Sequence, residues 1–174
     1  MANQQPVIVT SSGRRFACSP AGLCGVVVDR EERILLLQNP AANGAWEVVN
    51  GGLEAGETLL EGMLREIREE AGSGLRVRPL GVVHAHTFRY DDVAQFMISV
   101  FFLFEHLGGP VEPGDDMAGS AYRWWSLEEL RAERPLLVVP GNDQVWILER
   151  AVELFRLWRG TELPAIAHSS GGRN

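Results

Sequence analysis

Residues Gly51 to Ser73 read GGLEAGETLLEGMLREIREEAGS. Thr58, followed three residues on by Glu61, is a capping box, so a helix starts at Thr58. Gly72 is a natural residue just past a helix end, so the helix stops near Ala71. That makes about thirteen residues, or three to four turns. At about 100° per residue, Leu60, Met63, Leu64, Ile67 and Ala71 form one apolar stripe, which packs on a core. Glu66, Glu69 and Glu70 fall on one polar flank; Arg65, Arg68 and Glu61 fall on the other.

Three carboxylates this close repel one another. Two like charges at about 4 Å cost several kcal/mol at the effective dielectric of a protein surface. Arg65 reaches Glu69 at i+4. A hard divalent cation would serve the others, because Mg²⁺ prefers carboxylate oxygens and retains water. The stretch before the helix, Asn50 to Glu57, is glycine-rich and can bring backbone groups close to a ligand. The physical reading is a metal site on the side of a helix, preceded by a tight loop. The bland alternative is an amphipathic helix with a solvated acidic flank, which the carboxylates alone would favour.

The whole pattern is more specific. Gly51, five residues, Glu57, seven residues, then Arg65-Glu66-Ile67-Arg68-Glu69-Glu70-Ala71-Gly72 resembles the signature of the Nudix hydrolases at every charged and glycine position. Ser73 departs from the usual apolar residue at its end. Asn50 stands where many members have proline, so the loop should be less rigid, although Asn tolerates turn geometry.

The 174 residues are long enough for one domain with a proper core, expected over residues 1–160, followed by a flexible tail over 161–174. A hydrophobic content of 45% and a charged content of 22% are those of a soluble globular protein. The net charge of −7 and the lack of a basic stripe argue against nucleic acid as a partner. All 16 basic residues are Arg, which excludes Schiff-base lysine chemistry and a P-loop lysine. Cys18 and Cys24 make neither a disulfide framework nor a zinc site. No signal peptide and no membrane-length apolar run stand out, so the expected location is cytoplasmic, with reduced thiols and no membrane partner.

Along the chain, Pro6–Thr10 reads as a short strand, Ser11–Pro20 as turns, and residues 21–38 as a hairpin of strands 21–28 and 33–38. Trp46–Val49 is a short strand leading into the glycine loop. Residues 75–83 form a strand that Pro79 weakens or places at an edge, with 83–88 continuing it or turning. Tyr90-Asp91-Asp92 is a turn. Ala94–Glu105, apolar on both faces, is a central strand. Gly108–Gly119 is a loop, Ala121–Trp125 a strand, and Ser126 caps a short helix with Glu129. Pro135–Pro140 is a hydrophobic connection. Asp143–Trp158 is a helix whose core-facing residues are Val145, Leu148, Val152, Phe155 and Leu157. The class is α/β, with a mixed sheet between helices. The element order resembles the Nudix fold, an α/β/α sandwich with a mixed central sheet.

The resemblance implies a pyrophosphohydrolase that uses Mg²⁺ or Mn²⁺ to cleave a nucleoside diphosphate linked to another group. It makes Glu69 and Glu70 metal ligands and Glu66 a third ligand or the base that activates water. The Gly51 carbonyl becomes a further ligand and Arg65 a carboxylate-orienting partner. Glu57 and Gly52 become loop supports, with Gly56 keeping the loop compact. Many members add an acid outside the motif; Glu112, Asp115 and Asp116 are the candidates. His84 and His86 share a strand face, as a surface pair or a substrate contact. Phe88, Arg89 and Tyr90 could meet a base or a phosphate, or simply pack and be solvated. Trp46 lies before the glycines and fills the core more readily than a base pocket. The partner implied is a small-molecule nucleotide substrate: ADP-ribose or a nucleotide sugar first, a nucleoside triphosphate second, a dinucleoside polyphosphate third. Homodimers are common in the family; the N-terminal strand or exposed tryptophans could mediate one. The alternatives are a non-catalytic nucleotide-binding Nudix sensor domain and an isoprenoid diphosphate isomerase. The intact carboxylate set speaks against both.

Overall fold

The computed structural model describes residues 6–91 and 96–161, except for the side chain of Asp116. The strands are β1 (Val7–Val9), β2 (Arg15–Ala17), β3 (Ala21–Val28), β4 (Ile34–Gln38), β5 (Trp46–Glu47), β6 (Val49–Gly52), β7 (Arg76–Phe88), β8 (Met97–Gly108), β9 (Tyr122–Trp125) and β10 (Leu137–Val139). The helices are α1 (Leu59–Glu70), α2 (Leu127–Glu133) and α3 (Trp146–Trp158). Eight strands form one sheet in the order β10-β5-β4-β3-β8-β7, with β6 also paired to β3 and β9 to β4. The sheet is mixed: β3–β8 and β10–β5 are parallel, the other pairs antiparallel.

β3, β4 and β8 are apolar at nearly every position because both of their faces are covered. Leu23, Val27, Leu35, Leu37, Val100, Phe102 and Phe104 pack with Met63, Ile67 and Ala71 of the α1 side. Val26, Val28, Ile34, Leu36, Phe101 and Leu103 pack with Ile147, Leu148, Ala151, Val152 and Phe155 of α3, and Leu130 of α2 joins them. The molecule is thus an α/β/α sandwich. Gly62 lets α1 sit close on β3, since a Cβ there would come within 2.8 Å of Leu23.

Helix α1 is capped as its sequence requires: Thr58 accepts from the Glu61 N–H and the Glu61 carboxylate accepts from the Thr58 N–H. Gly72 follows the helix with φ +104°, a left-handed conformation suited to glycine.

Several expectations need correction. Gly51 and Gly52 lie in β6, paired with Leu23 and Gly22, so the loop begins later. The turn-rich segment 11–20 contains β2, because Gly13 at φ +80° reverses the chain and lets Arg15–Ala17 pair with β1. The 135–140 connection contains β10, held parallel to β5. The 21–38 hairpin forms as expected, with β3 and β4 antiparallel, but its register pairs Val28 with Ile34, and β3 gives the rest of its bonds to β6 and β8. Strand β7, by contrast, is as expected: it lies at the sheet edge and continues to Phe88, with bulges flanking Gly81 that absorb Pro79. Leu157 is 69% exposed, because it lies about 200° round the helix from Phe155. Helix α3 begins at Trp146, after a short 3₁₀ turn at Asn142–Gln144. Asp92, Ala94, Gln95 and the tail beyond Thr161 lie outside the described residues.

Candidate active site

Arg65 is the hub of the acidic face. Its Nε and Nη2 donate to the two Glu57 carboxylate oxygens at 2.8 and 3.1 Å. Its Nη1 donates to Glu66 at 2.8 Å and to Glu69 at 2.9 Å, and Nη2 also reaches the Gly52 carbonyl at 2.9 Å. The side chain is only 18% exposed. Arg65 therefore bridges to the Glu66/Glu69 flank of α1 rather than staying with Arg68 on the opposite side, because its guanidinium presents donors in several directions. These bonds hold the guanidinium protonated and hold the Glu57 carboxyl below its ordinary range. The backbone N–H of Glu54 also donates to Glu57, at 3.1 Å, which ties the loop to the helix.

Glu66 and Glu70 are buried, while Glu69 is half-exposed. The Glu66 carboxylate packs against the bare Cα of Gly51; a Cβ there would overlap it. Glu70 accepts from the backbone N–H of Asn50 at 2.9 Å. A proline at 50 could not donate that bond, so the departure noted in the sequence gives the second buried carboxylate a partner. The Asn50 side chain bonds the Val48 carbonyl at 2.9 Å, so position 50 is well held rather than loose.

Among the described residues no three His, Cys, Asp or Glu side chains are grouped as a preformed metal cage. The guanidinium of Arg65 supplies positive charge to Glu66 and Glu69. The donor set still suits a hard divalent ion: carboxylate oxygens, two of them on buried side chains, on one helix beside glycine backbone.

Glu112 and Asp115 are exposed, in a loop docked on the last turn of α1 by Glu112 N–H to Ala71 and Gly114 N–H to Glu70 carbonyl bonds. Asp115 opens a short 3₁₀ turn, Asp115–Met117, and the Asp116 side chain lies outside the described residues.

A cleft of about 510 Å³ adjoins the acids through Asn50, Gly51 and Gly52. Its floor is the α3 side of the sheet, where strand pairing sets Gly22, Ser99 and His86 in one row across three strands. Cys24 Sγ lies 3.5 Å from Ser99 Oγ. Burial, with Glu47 and Glu70 adding to it, pushes the Cys24 thiol up to about 12. The thiol is therefore protonated at neutral pH and is no nucleophile. His86 stacks on His84 (5.2 Å between centroids) and on Phe101 (6.0 Å); Phe88 and Tyr90 extend this aromatic wall. His86 Nδ1 is buried without a hydrogen-bond partner among the described residues. Burial, then the neighbouring His86 and Arg150, lowers the His84 pKa. Trp46 is not in the cleft; it packs edge-on against Trp125 in the core.

Glu47 is the acid that sequence reasoning passed over. It is buried and accepts from Asn39 Nδ2 at 2.7 Å. A carboxylate between Trp46 and Val48 in an apolar strand was the available signal.

With this geometry in view, the comparisons with known proteins are direct. The NUDIX domain family matches residues 19–164, and the chain belongs to that family. It is 32% identical over 104 residues to the ADP-ribose pyrophosphatase of Methanocaldococcus jannaschii, covering 59% of this chain and 60% of that protein. It is 32% identical over 133 residues to the NAD-capped RNA hydrolase NudC of Shigella dysenteriae, covering 75% of this chain and 47% of that protein. It thus spans about half to three-fifths of these two relatives' lengths. Among solved structures, an ADP-ribose pyrophosphatase from Streptococcus suis superposes with a TM-score of 0.63 at 24% identity, covering 80% of this chain and 93% of that one. This last likeness supports the fold.

Proposed function

We propose that the chain is a divalent-cation-dependent pyrophosphohydrolase that cleaves a nucleoside diphosphate linked to another group, with ADP-ribose or a nucleotide sugar as the preferred class. The observation that carries this reading is the position of two buried carboxylates, Glu66 and Glu70, at the backbone of Asn50 and Gly51, which also lines an aromatic-walled cleft. The names of the similar proteins, an ADP-ribose pyrophosphatase and an NAD-capped RNA hydrolase, support the substrate class.

Glu69 and Glu70 would hold Mg²⁺ or Mn²⁺ together with the Gly51 carbonyl, and Glu66 would serve as third ligand or base. Such a cation neutralises charge developing on phosphoryl oxygens and acidifies water. Arg65 keeps Glu66 and Glu69 oriented, and Glu57 anchors Arg65 to the loop. The cleft would take the nucleoside, with Phe88 and Tyr90 offering ring faces and Ser99 and His86 Nδ1 offering polar atoms.

The test is product release from ADP-ribose, nucleotide sugars, nucleoside triphosphates and dinucleoside polyphosphates, with Mg²⁺ and with Mn²⁺, beside Glu70→Gln. Cleavage of one class and a dead variant is the expected result. Nucleotide binding without cleavage of any of them would replace the hydrolase with the sensor reading.

A further inference from the structure

The cleft beside the acids holds no fixed charge. The chain has 16 Arg, and among the described residues none of them lines it; nor does any Asp or Glu. Its polar side chains include Asn50, His86, Ser99 and Gln144, set among apolar surface such as Phe88, Phe101 and Val138. The hollow at the other end of β3 is different: Arg30 and Arg33 line it, beside Asp29 and Glu31. Arginine thus lines a hollow elsewhere in this molecule, but not the cleft.

The charge that does reach the cleft is negative. Glu47 and Glu70 both raise the Cys24 thiol at its floor. Arg150 of α3 bears on His84, which stacks on His86 but is not a lining residue. Arg89, between Phe88 and Tyr90, is not a lining residue either. Residues 92–95, which lie outside the described residues, read Asp-Val-Ala-Gln and contain no basic residue.

A diphosphate held at the acidic face, as in the function proposed above, meets the cleft at Asn50, Gly51 and Gly52. Its 5′-linked ribose is then the first group inside, with the base beyond it. A cleft of about 510 Å³ takes a nucleoside, since ligand pockets run from roughly 300 to 1,000 Å³. Neutral groups such as those of Ser99 and Gln144 suit ribose hydroxyls and base edges. A phosphate on the 2′ or 3′ oxygen would bring up to about two negative charges into the same space. It would meet no arginine there, and the acids behind the floor would repel it. Burying a charge without a partner is the costliest kind of burial.

We infer that the cleft selects nucleosides whose 2′ and 3′ hydroxyls are free, and turns away the 2′- or 3′-phosphorylated forms, because no arginine lines it. The inference rests on the proposed function only in placing the diphosphate at the acidic face.

Calorimetric titration of the full chain with Mg²⁺ tests it. The probes are AMP, GMP, UMP and CMP, each beside its nucleoside 3′,5′-bisphosphate, with adenosine 2′,5′-bisphosphate added. Work at about pH 8.5, above the ordinary range of histidine, keeps His86 from supplying a cation. At least one monophosphate should bind, and its bisphosphate should bind at least about a hundredfold more weakly. At least one of Gln144→Arg and Val138→Arg, each bringing a guanidinium to the cleft wall, should narrow that gap at least about tenfold. Equal binding of the two forms overturns the inference. So does failure of every monophosphate to bind, or a gap that neither arginine narrows. The hydrolase reading fails separately: a preference for the monophosphate with no cleavage of the substrate panel leaves the selectivity standing on a sensor. Cleavage of the panel with equal binding of both forms keeps the hydrolase and removes the selectivity.

Discussion

Two arginine–glutamate clusters, built from the same side chains, sit in different parts of this molecule. In one, Arg65 joins Glu57, Glu66 and Glu69 on α1. In the other, Arg123 of β9 joins Glu129 and Glu133 of α2 at 2.7–2.9 Å. Each helix opens with a complete capping box. The difference is enclosure. The Arg65 side chain is 18% exposed and its Glu66 partner packs on a glycine Cα. Arg123 is twice as exposed, its glutamates more so, and its guanidinium carbon lies over the Trp125 ring, 3.8 Å from the centroid. Arg123 clamps a helix to a strand at the surface; Arg65 gathers carboxylates beside a cleft. The composition of a charge cluster says little about chemistry, whereas burial against backbone says a good deal.

The sharpest way to break that contrast is to neutralise one carboxylate in each cluster or beside it. Glu66→Gln and Glu70→Gln should each lower turnover by roughly 10²–10³-fold, on the scale of removing one electrostatic stabiliser from an active site. Glu129→Gln should leave turnover within about twofold, because its charge faces solvent. Steady-state hydrolysis of whichever nucleotide the substrate panel identifies measures both. Equal losses would erase the distinction.

Glycine neighbours sharpen it next. Gly51→Ala places a methyl where the Glu66 carboxylate lies. Glu66 must move or the strand must shift, so activity should fall almost as far as in Glu66→Gln. Gly52→Ala, one residue on, meets nothing within 4 Å and should behave like the wild type. Arg65→Lys should follow, costing about 10–100-fold in apparent Mg²⁺ affinity or activity, because an ammonium cannot serve Glu57, Glu66, Glu69 and the Gly52 carbonyl together. Arg123→Lys should alter thermal stability slightly and activity not at all.

Local rules made half of this legible. The ends of α1 follow from Thr58, Glu61 and Gly72, and the sandwich from apolar runs covered on both faces; those signals act over a few residues. The acidic flank was legible for the same reason, since helical spacing alone sets 66, 69 and 70 on one side of α1. The cleft was not. Gly22, Ser99 and His86 become neighbours only through the register of three strands, one pairing parallel, and no local pattern encodes that register. The reach of Arg65 back to Glu57 depends on how the 53–57 turn folds. The same holds for β10, three residues whose strand character comes from lying beside β5.

The smallest effect expected is one of pH, on the exposed cluster. Bonds from the Ser126 backbone and from Arg123 hold the Glu129 carboxyl at about 2, against an ordinary value of 4.5. A carboxyl depressed in the folded state adds stability that is complete above the unfolded value and fades as pH falls through the folded one. Thermal melts of the wild type and Glu129→Gln should therefore differ by a constant amount down to about pH 4.5, and the gap should close toward about pH 2. Solvent screening keeps that gap small. A gap that widened on acidification would mean that Arg123 and the Ser126 cap do not hold the charged form of Glu129, and the surface clamp would lose its electrostatic basis.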